Sequence, residues 1–248
     1  MPVTTVPSRV LPGSSPDPAT RPPEDAAGTA PSRRWAWWGV AAGVTGFVAT
    51  VVTDGWPMVG AERIAAGGAE RVVSTLQSPV YHLGVVAGFA TVVALLVLAA
   101  AWRRWTASVA PGSLAASVAG TGLTTSAAAM MLAFGLKGAL AVYLPGGMDD
   151  GKLAKDALYV MFSLEDAAPF LAWWGVAVTA ACVAVLGVHG RVVPRWVAVV
   201  SALYVALPLF SLLWWGEPDQ FGLFGGIWLV LASAGLMARR RSRAPLAG

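Results

Sequence analysis

Charge is what this sequence has least of. Only 12% of its 248 residues are Asp, Glu, Lys or Arg and 56% are hydrophobic, where a soluble domain carries roughly a quarter charged residues. A water-facing surface cannot be covered from such a supply, which excludes a soluble globular fold and predicts a polytopic membrane protein. Cysteine is nearly absent. The single Cys182 falls in an apolar segment, so neither an intrachain disulfide nor a thiolate metal cluster can form. The two histidines, His82 and His189, belong to opposite sides of the membrane and cannot bracket one haem. H-E-x-x-H and G-x-x-x-x-G-K-[ST] are missing, and "GGMDDGKLAKD" is no complete EF-hand, so no metal and no cofactor are expected. The halves show no internal repeat, which weakens a secondary transporter of the inverted-repeat kind. A net charge of +4 arises from short basic clusters beside apolar runs, the pattern of membrane topology and not of nucleic-acid binding.

What is present is apolar helix. Residues 1–34, rich in Pro, Ser, Thr and Ala, predict a disordered tail. The first apolar run follows Arg33 and Arg34, too late for a cleavable signal peptide. Six segments, near 35–54, 79–101, 114–143, 157–188, 195–215 and 222–238, can each cross a hydrocarbon layer that takes about 20 helical residues. The third and fourth exceed a span and should tilt, kink or project; the last is short. Arg33 and Arg34, Arg103 and Arg104, Arg191 and Arg195, and the closing "ARRRSR" all fall on one side of six spans. The positive-inside rule makes that side cytoplasmic. The expectation is therefore an all-α, multi-pass plasma-membrane protein with both termini inside, a transmembrane domain over 35–238 and a basic tail over 239–248.

The acids beyond the tail fall on the other side: Asp54, Glu62, Glu70, Asp149, Asp150, Asp156, Glu165, Asp166, Glu217 and Asp219. Ordinary acidic outer loops and a gathering of acids for function both account for this. In the loop 55–78, "AERIAAGGAERVVSTLQ" reads either as an amphipathic surface helix that could cap the bundle as a lid or as a solvated connector. Gly39 with Gly43, and Gly84 with Gly88, have the small-xxx-small spacing that lets helices approach closely. "SLAASVAGTGLTTSAAAMM" marks the third span as the central helix.

One stretch breaks the apolar pattern. "FSLEDAAPF" sets Glu165 beside Asp166 in the fourth span, where a single carboxylate costs roughly 2.5–3.5 kcal/mol to insert at mid-helix. Intramembrane ionisable groups pair or face a wet cavity, and Lys137, at similar depth in the third span, is the natural partner. Neighbouring helical residues differ in direction by about 100°, so one acid should face Lys137 and the other His82, the fifth span or the aqueous mouth. Pro169 cannot donate to the carbonyl of Glu165, nor Pro208 to that of Tyr204, and carbonyls freed at membrane depth must be buried or line a wet cavity. Of the twelve tryptophans, Trp35, Trp37, Trp38, Trp102, Trp105 and Trp196 fit an inner aromatic belt and Trp56, Trp214 and Trp215 an outer one. Trp173, Trp174 and Trp228 lie deeper. They either pack against lipid or line an apolar cavity, with Trp173 on the same face as Asp166.

The segment "GVHGRVVPRWVAVVSALYVALP", with Pro194-Arg195 leading into the fifth span, resembles the fourth-to-fifth connection of bacterial six-helix membrane proteins in domain-of-unknown-function family 4386. "AERIAAGGAERVVSTLQSPVYHLGVVAGF" is similar to that family's layout before the second span. The resemblance implies the six-helix fold over residues 40–235. It implies no chemistry, and "LEDAAPF" is not part of the pattern.

Three functions fit these residues. The first is an outward-facing polar pocket, built from Lys137, Glu165 and Asp166 with His82, Tyr204 and Trp173, for a small cationic or amphiphilic ligand. The second is an intramembrane enzyme of cyclase or isomerase type, with Glu165 or Asp166 as general acid on a lipophilic substrate. The third is a structural or assembly subunit of a membrane complex.

Overall fold

The computed structural model describes residues 33–54, 70–189, 192–216 and 220–238, and among them the chain is helical with no strand. The tail 1–32, most of the loop carrying the lid (55–69) with Trp56 and Glu62, Arg191, Glu217, Asp219 and the basic tail lie outside the described residues. The first span is composite: a 3-10 turn, Arg33–Ala36, leads into α1, Trp37–Phe47, which widens into a π turn, Val48–Val52. There follow α2 (Ser78–Val109), α3 (Leu114–Tyr143), α4 (Lys155–Leu171), α5 (Trp174–His189), α6 (Arg195–Trp215) and α7 (Gln220–Ala238). Among the described residues six segments are long and apolar enough to cross a membrane, α4 and α5 together forming the fourth. The second is longer than its hydropathy suggested. Its helix runs on to Val109, so Arg103 and Arg104 ride on helix instead of ending it.

Local chemistry sets the starts and stops. Pro79 sits in the first turn of α2, where its missing N–H costs nothing. Ser113 caps α3 by accepting from the Ala116 amide. Gly216, at φ 76°, ends α6 in the left-handed conformation that glycine adopts without strain.

The spans follow one another around a closed ring, α1 beside α2, α2 beside α3, α3 beside α4 and α5, α5 beside α6, α6 beside α7, and α7 back against α1. The third span is therefore not the central one. Its small residues allow close approach, but its main neighbours are α2, α4 and α5. The hub is the last span: α7 touches α1, α4, α5 and α6, and in its most apolar 18-residue stretch 56% of the residues are buried, against 44% in that of α3. Glycine makes this possible, because a Cβ on Gly43 would lie 2.5 Å from the carbonyl oxygen of Gly226. Only bare backbones can cross that closely.

The fourth span is broken, not merely kinked. Pro169 lies in the last turn of α4, the Trp173 amide turns back to the Phe170 carbonyl at 3.3 Å, and α5 starts at Trp174. A new helix start leaves amides without intrahelical acceptors. That of Val176 is met from across the interface by Ser126 Oγ at 2.9 Å.

Among the described residues two apolar cores result. The main one runs along the ring and includes Leu95, Phe134, Trp173, Tyr204 and Trp228. A smaller one, built from Val72, Val73, Leu76, Tyr81, Leu140, Leu144, Leu158 and Phe162, lies at the end of the bundle where the first and second spans join, as do the third and fourth. That end carries Asp54, Asp149, Asp150 and Asp156 and is called the acidic end. Lys155, at the start of α4, pairs there with Glu70.

The tryptophans divide differently from a simple belt. Trp37, Trp38, Trp196, Trp214 and Trp215 are exposed, as an interfacial belt requires. Trp102 and Trp105 are buried and cluster with Trp35, edge-on at Trp102 and tilted between Trp35 and Trp105, with ring centroids 5.3–6.3 Å apart. Trp173 and Trp228 pack inside the protein, not against lipid.

Candidate functional site

The site grows out of the π turn. Widening the helix at Val48–Val52 gives a Thr53 amide bonded to the Val48 carbonyl at 3.0 Å, and single π turns inside α-helices gather at functional sites. The carbonyls of Ala49 and Thr53 are left pointing toward α3, where the Lys137 ammonium takes them at 3.0 and 3.1 Å. Thr53 Oγ1 donates to the Ala49 carbonyl at 2.8 Å and accepts from Lys137 at 3.3 Å. The fourth oxygen is Glu165 Oε1 on α4, 3.2 Å from Nζ. An ammonium has three hydrogens, and four oxygens share them. Lys137 is 1% exposed and Glu165 2%, so the pair is sealed and the cation is fully committed. Gly84 makes room for it, since a Cβ there would lie 2.7 Å from the Lys137 stem.

Around this pair stand two residues not singled out from the sequence. Tyr81 on α2 lays its ring 5.6 Å from the ammonium, in the range of a cation–π contact. Its hydroxyl is buried with no hydrogen-bond partner among the described residues, within electrostatic reach of Glu165, Asp54 and Asp166. Asp54 follows the π turn and is half-buried. Burial, and then the charge of Asp166, push its carboxyl up to about 6 against the pull of Lys137. In the sequence Asp54 was one of ten acids assigned to the outer side. The signal that could have marked it is its place directly after an apolar run, at the depth of Lys137.

The structure joins Lys137 to Glu165, as the sequence suggested, and turns Asp166 to a half-exposed position beside them. It does not bring in the other three residues. His82, one step along from Tyr81 and so about 100° round the helix, is exposed. Tyr204 donates its hydroxyl to the Phe221 carbonyl at 2.9 Å and stacks on Trp228 with centroids 5.5 Å apart. Trp173 is wholly buried, its indole N–H bonded to Thr50 Oγ1 at 3.1 Å. Trp173 and Tyr204 meet over Gly225. They reach the ion pair only through the π turn, which holds Thr50 on one side and Ala49 on the other.

No family model, no curated protein and no solved structure matches this chain. The residues themselves carry the functional reading. Among the described residues no three of His, Cys, Asp and Glu come together as a metal-ligand set.

Proposed function

We propose that the chain is a multi-pass protein of a bacterial plasma membrane, both termini cytoplasmic, whose acidic end faces outward and holds a polar site for a small cationic ligand. Kinship with family 4386 belongs to the same proposal. The basic residues support the orientation: Arg34, Arg103, Arg104 and Arg195 all belong to the end opposite the ion pair. One observation carries the site. Lys137 spends its hydrogens on Glu165 and the π turn, while Asp54 stands half-exposed beside it with Asp166 near by, so among the described residues the cluster offers Asp54 a carboxylate neighbour and no ammonium of its own. The Asp54 carboxylate attracts a cation from the aqueous side, and partial burial strengthens the attraction by lowering the local dielectric.

The same geometry favours binding over intramembrane acid catalysis. Glu165 is engaged by an ammonium, and the deep tryptophans fill core instead of lining a chamber beside the acids. Native mass spectrometry of the wild type beside the Asp54→Asn/Asp166→Asn double variant, with solvent extraction, tests the reading. A discrete cationic molecule or ion retained by the wild type and lost in the folded variant is expected. Identical ligand-free masses would reverse the conclusion in favour of a structural or assembly role.

A further inference from the structure

We propose that Asp54, Tyr81 and Asp166 form an exchangeable position beside the fixed Lys137 ammonium, held in turn by a proton or by a small monovalent cation. The cation is an alkali ion or a primary ammonium group, and binding it releases the proton. The inference rests on the cation-binding reading above and names what competes for that site.

Geometry makes the case first. Tyr81 is 1% exposed and its hydroxyl has no partner among the described residues, although buried hydroxyls are nearly always hydrogen-bonded. Its oxygen can accept from an ammonium or coordinate a metal ion while its hydrogen goes to a carboxylate, a combination suited to a site filled from solution. Lys137 cannot fill it, being held by Glu165, Ala49 and Thr53. The two half-exposed acids provide the way in, since the pair beneath them is sealed. A divalent ion is disfavoured because no third carboxylate or imidazole joins Asp54 and Asp166 as a ligand set among the described residues, and dehydrating such an ion takes more oxygens than these.

Among the described residues the groups facing the position are Asp54, just past the first span, Tyr81 from α2, Lys137 from α3, and Glu165 and Asp166 from α4. The stretch that packs Val72, Val73 and Leu76 on Tyr81 carries Glu70, paired with Lys155, and Arg71, both exposed, and α7 has no titratable side chain between residues 220 and 238. Burial and the nearby Asp166 bring Asp54 up to about 6, where proton and cation compete under ordinary conditions. The exchange balances simply: the Asp54 carboxyl gives its proton to water, and the carboxylate left behind pairs with the incoming cation.

Isothermal titration of the purified full chain with sodium chloride, and separately with methylammonium chloride, tests this at pH 8 and pH 5. N-methyl-D-glucamine holds the ionic strength, and two buffers of different protonation enthalpy count the protons released. With a competing proton near 6, the apparent Kd should be about tenfold weaker at pH 5 than at pH 8, with measurable proton release at pH 6. Asp54→Asn should abolish both effects. Tyr81→Phe, which keeps the ring over Lys137, should weaken binding at both pH values with the helical circular dichroism intact; should Asp54→Asn fail to fold, Asp166→Asn should reduce the same pH dependence. Whichever probe binds distinguishes an alkali ion from an organic ammonium. Binding that is equal at pH 5 and pH 8 and releases no protons would overturn the exchange and leave the cation-binding reading standing. Failure of both probes to bind a folded protein would overturn the exchange, and the native mass spectrum would then decide the broader reading separately.

Discussion

Removing Lys137 and removing Glu165 should have unequal costs, because the two partners are supported differently. Lys137→Met leaves Glu165 2% exposed with no cation, and strips the Ala49 and Thr53 carbonyls of their donor. Leaving one partner of a buried ion pair uncompensated costs about 3–5 kcal/mol. Glu165→Gln takes away one acceptor, but the ammonium keeps three oxygens at 3.0–3.3 Å, two of them at the negative end of the first-span helix. Its cost should be nearer the net worth of one hydrogen bond to a charged group, about 1.5–3 kcal/mol. In the double variant neither charge remains, so its loss should fall about 2 kcal/mol short of the sum of the two singles. Unfolding in mixed micelles titrated with SDS, followed by circular dichroism, gives the four free energies needed. A Glu165→Gln variant less stable than Lys137→Met would refute the view that the π turn holds the ammonium independently of the acid, and a strictly additive double variant would refute the coupling of the buried pair.

The folded state holds the Asp54 proton up to about pH 6, above the ordinary value of 3.8, so stability falls as pH rises through that window. Asp54→Asn should remove this slope and be more stable than wild type at pH 7.5, by about 1–2 kcal/mol once solvent screening of a partly exposed group is allowed for. Thermal denaturation at pH 4 and pH 7.5 checks the sign, and a variant less stable than wild type at pH 7.5 would contradict it. Gly175→Ala would place a Cβ 2.2 Å from the Gly122 carbonyl, whereas Gly135→Ala meets nothing within 4 Å. The first should cost about 1–3 kcal/mol by overpacking, while the second should be neutral or slightly stabilising in the same assay. Ser126→Ala leaves the Val176 amide at the start of α5 without its acceptor and should cost about 1–2 kcal/mol; no change would mean that another group caps that helix.

Much of the fold was legible in the chain, because crossing a membrane requires a long uninterrupted apolar run and little else in a sequence resembles one. Hydropathy therefore placed all six spans. The scarcity of charge made Lys137, Glu165 and Asp166 conspicuous, and the cost of isolating any of them in an apolar interior made Lys137 the partner of one acid or the other. The neighbours of each span were not legible. Small residues permit close approach without saying to what, so α3 looked central while α7, through Gly43 against Gly226, became the hub. The local pattern also gave no warning of the π turn, since nothing in "VATVV" separates it from ordinary helix. Only the tertiary structure turned the Ala49 and Thr53 carbonyls toward Lys137, sent Tyr81 inward and His82 outward, and set Asp54 beside Asp166 across spans far apart in the chain. Sequence fixes which groups an apolar environment cannot leave alone; the packing of helices against one another decides which partners they find.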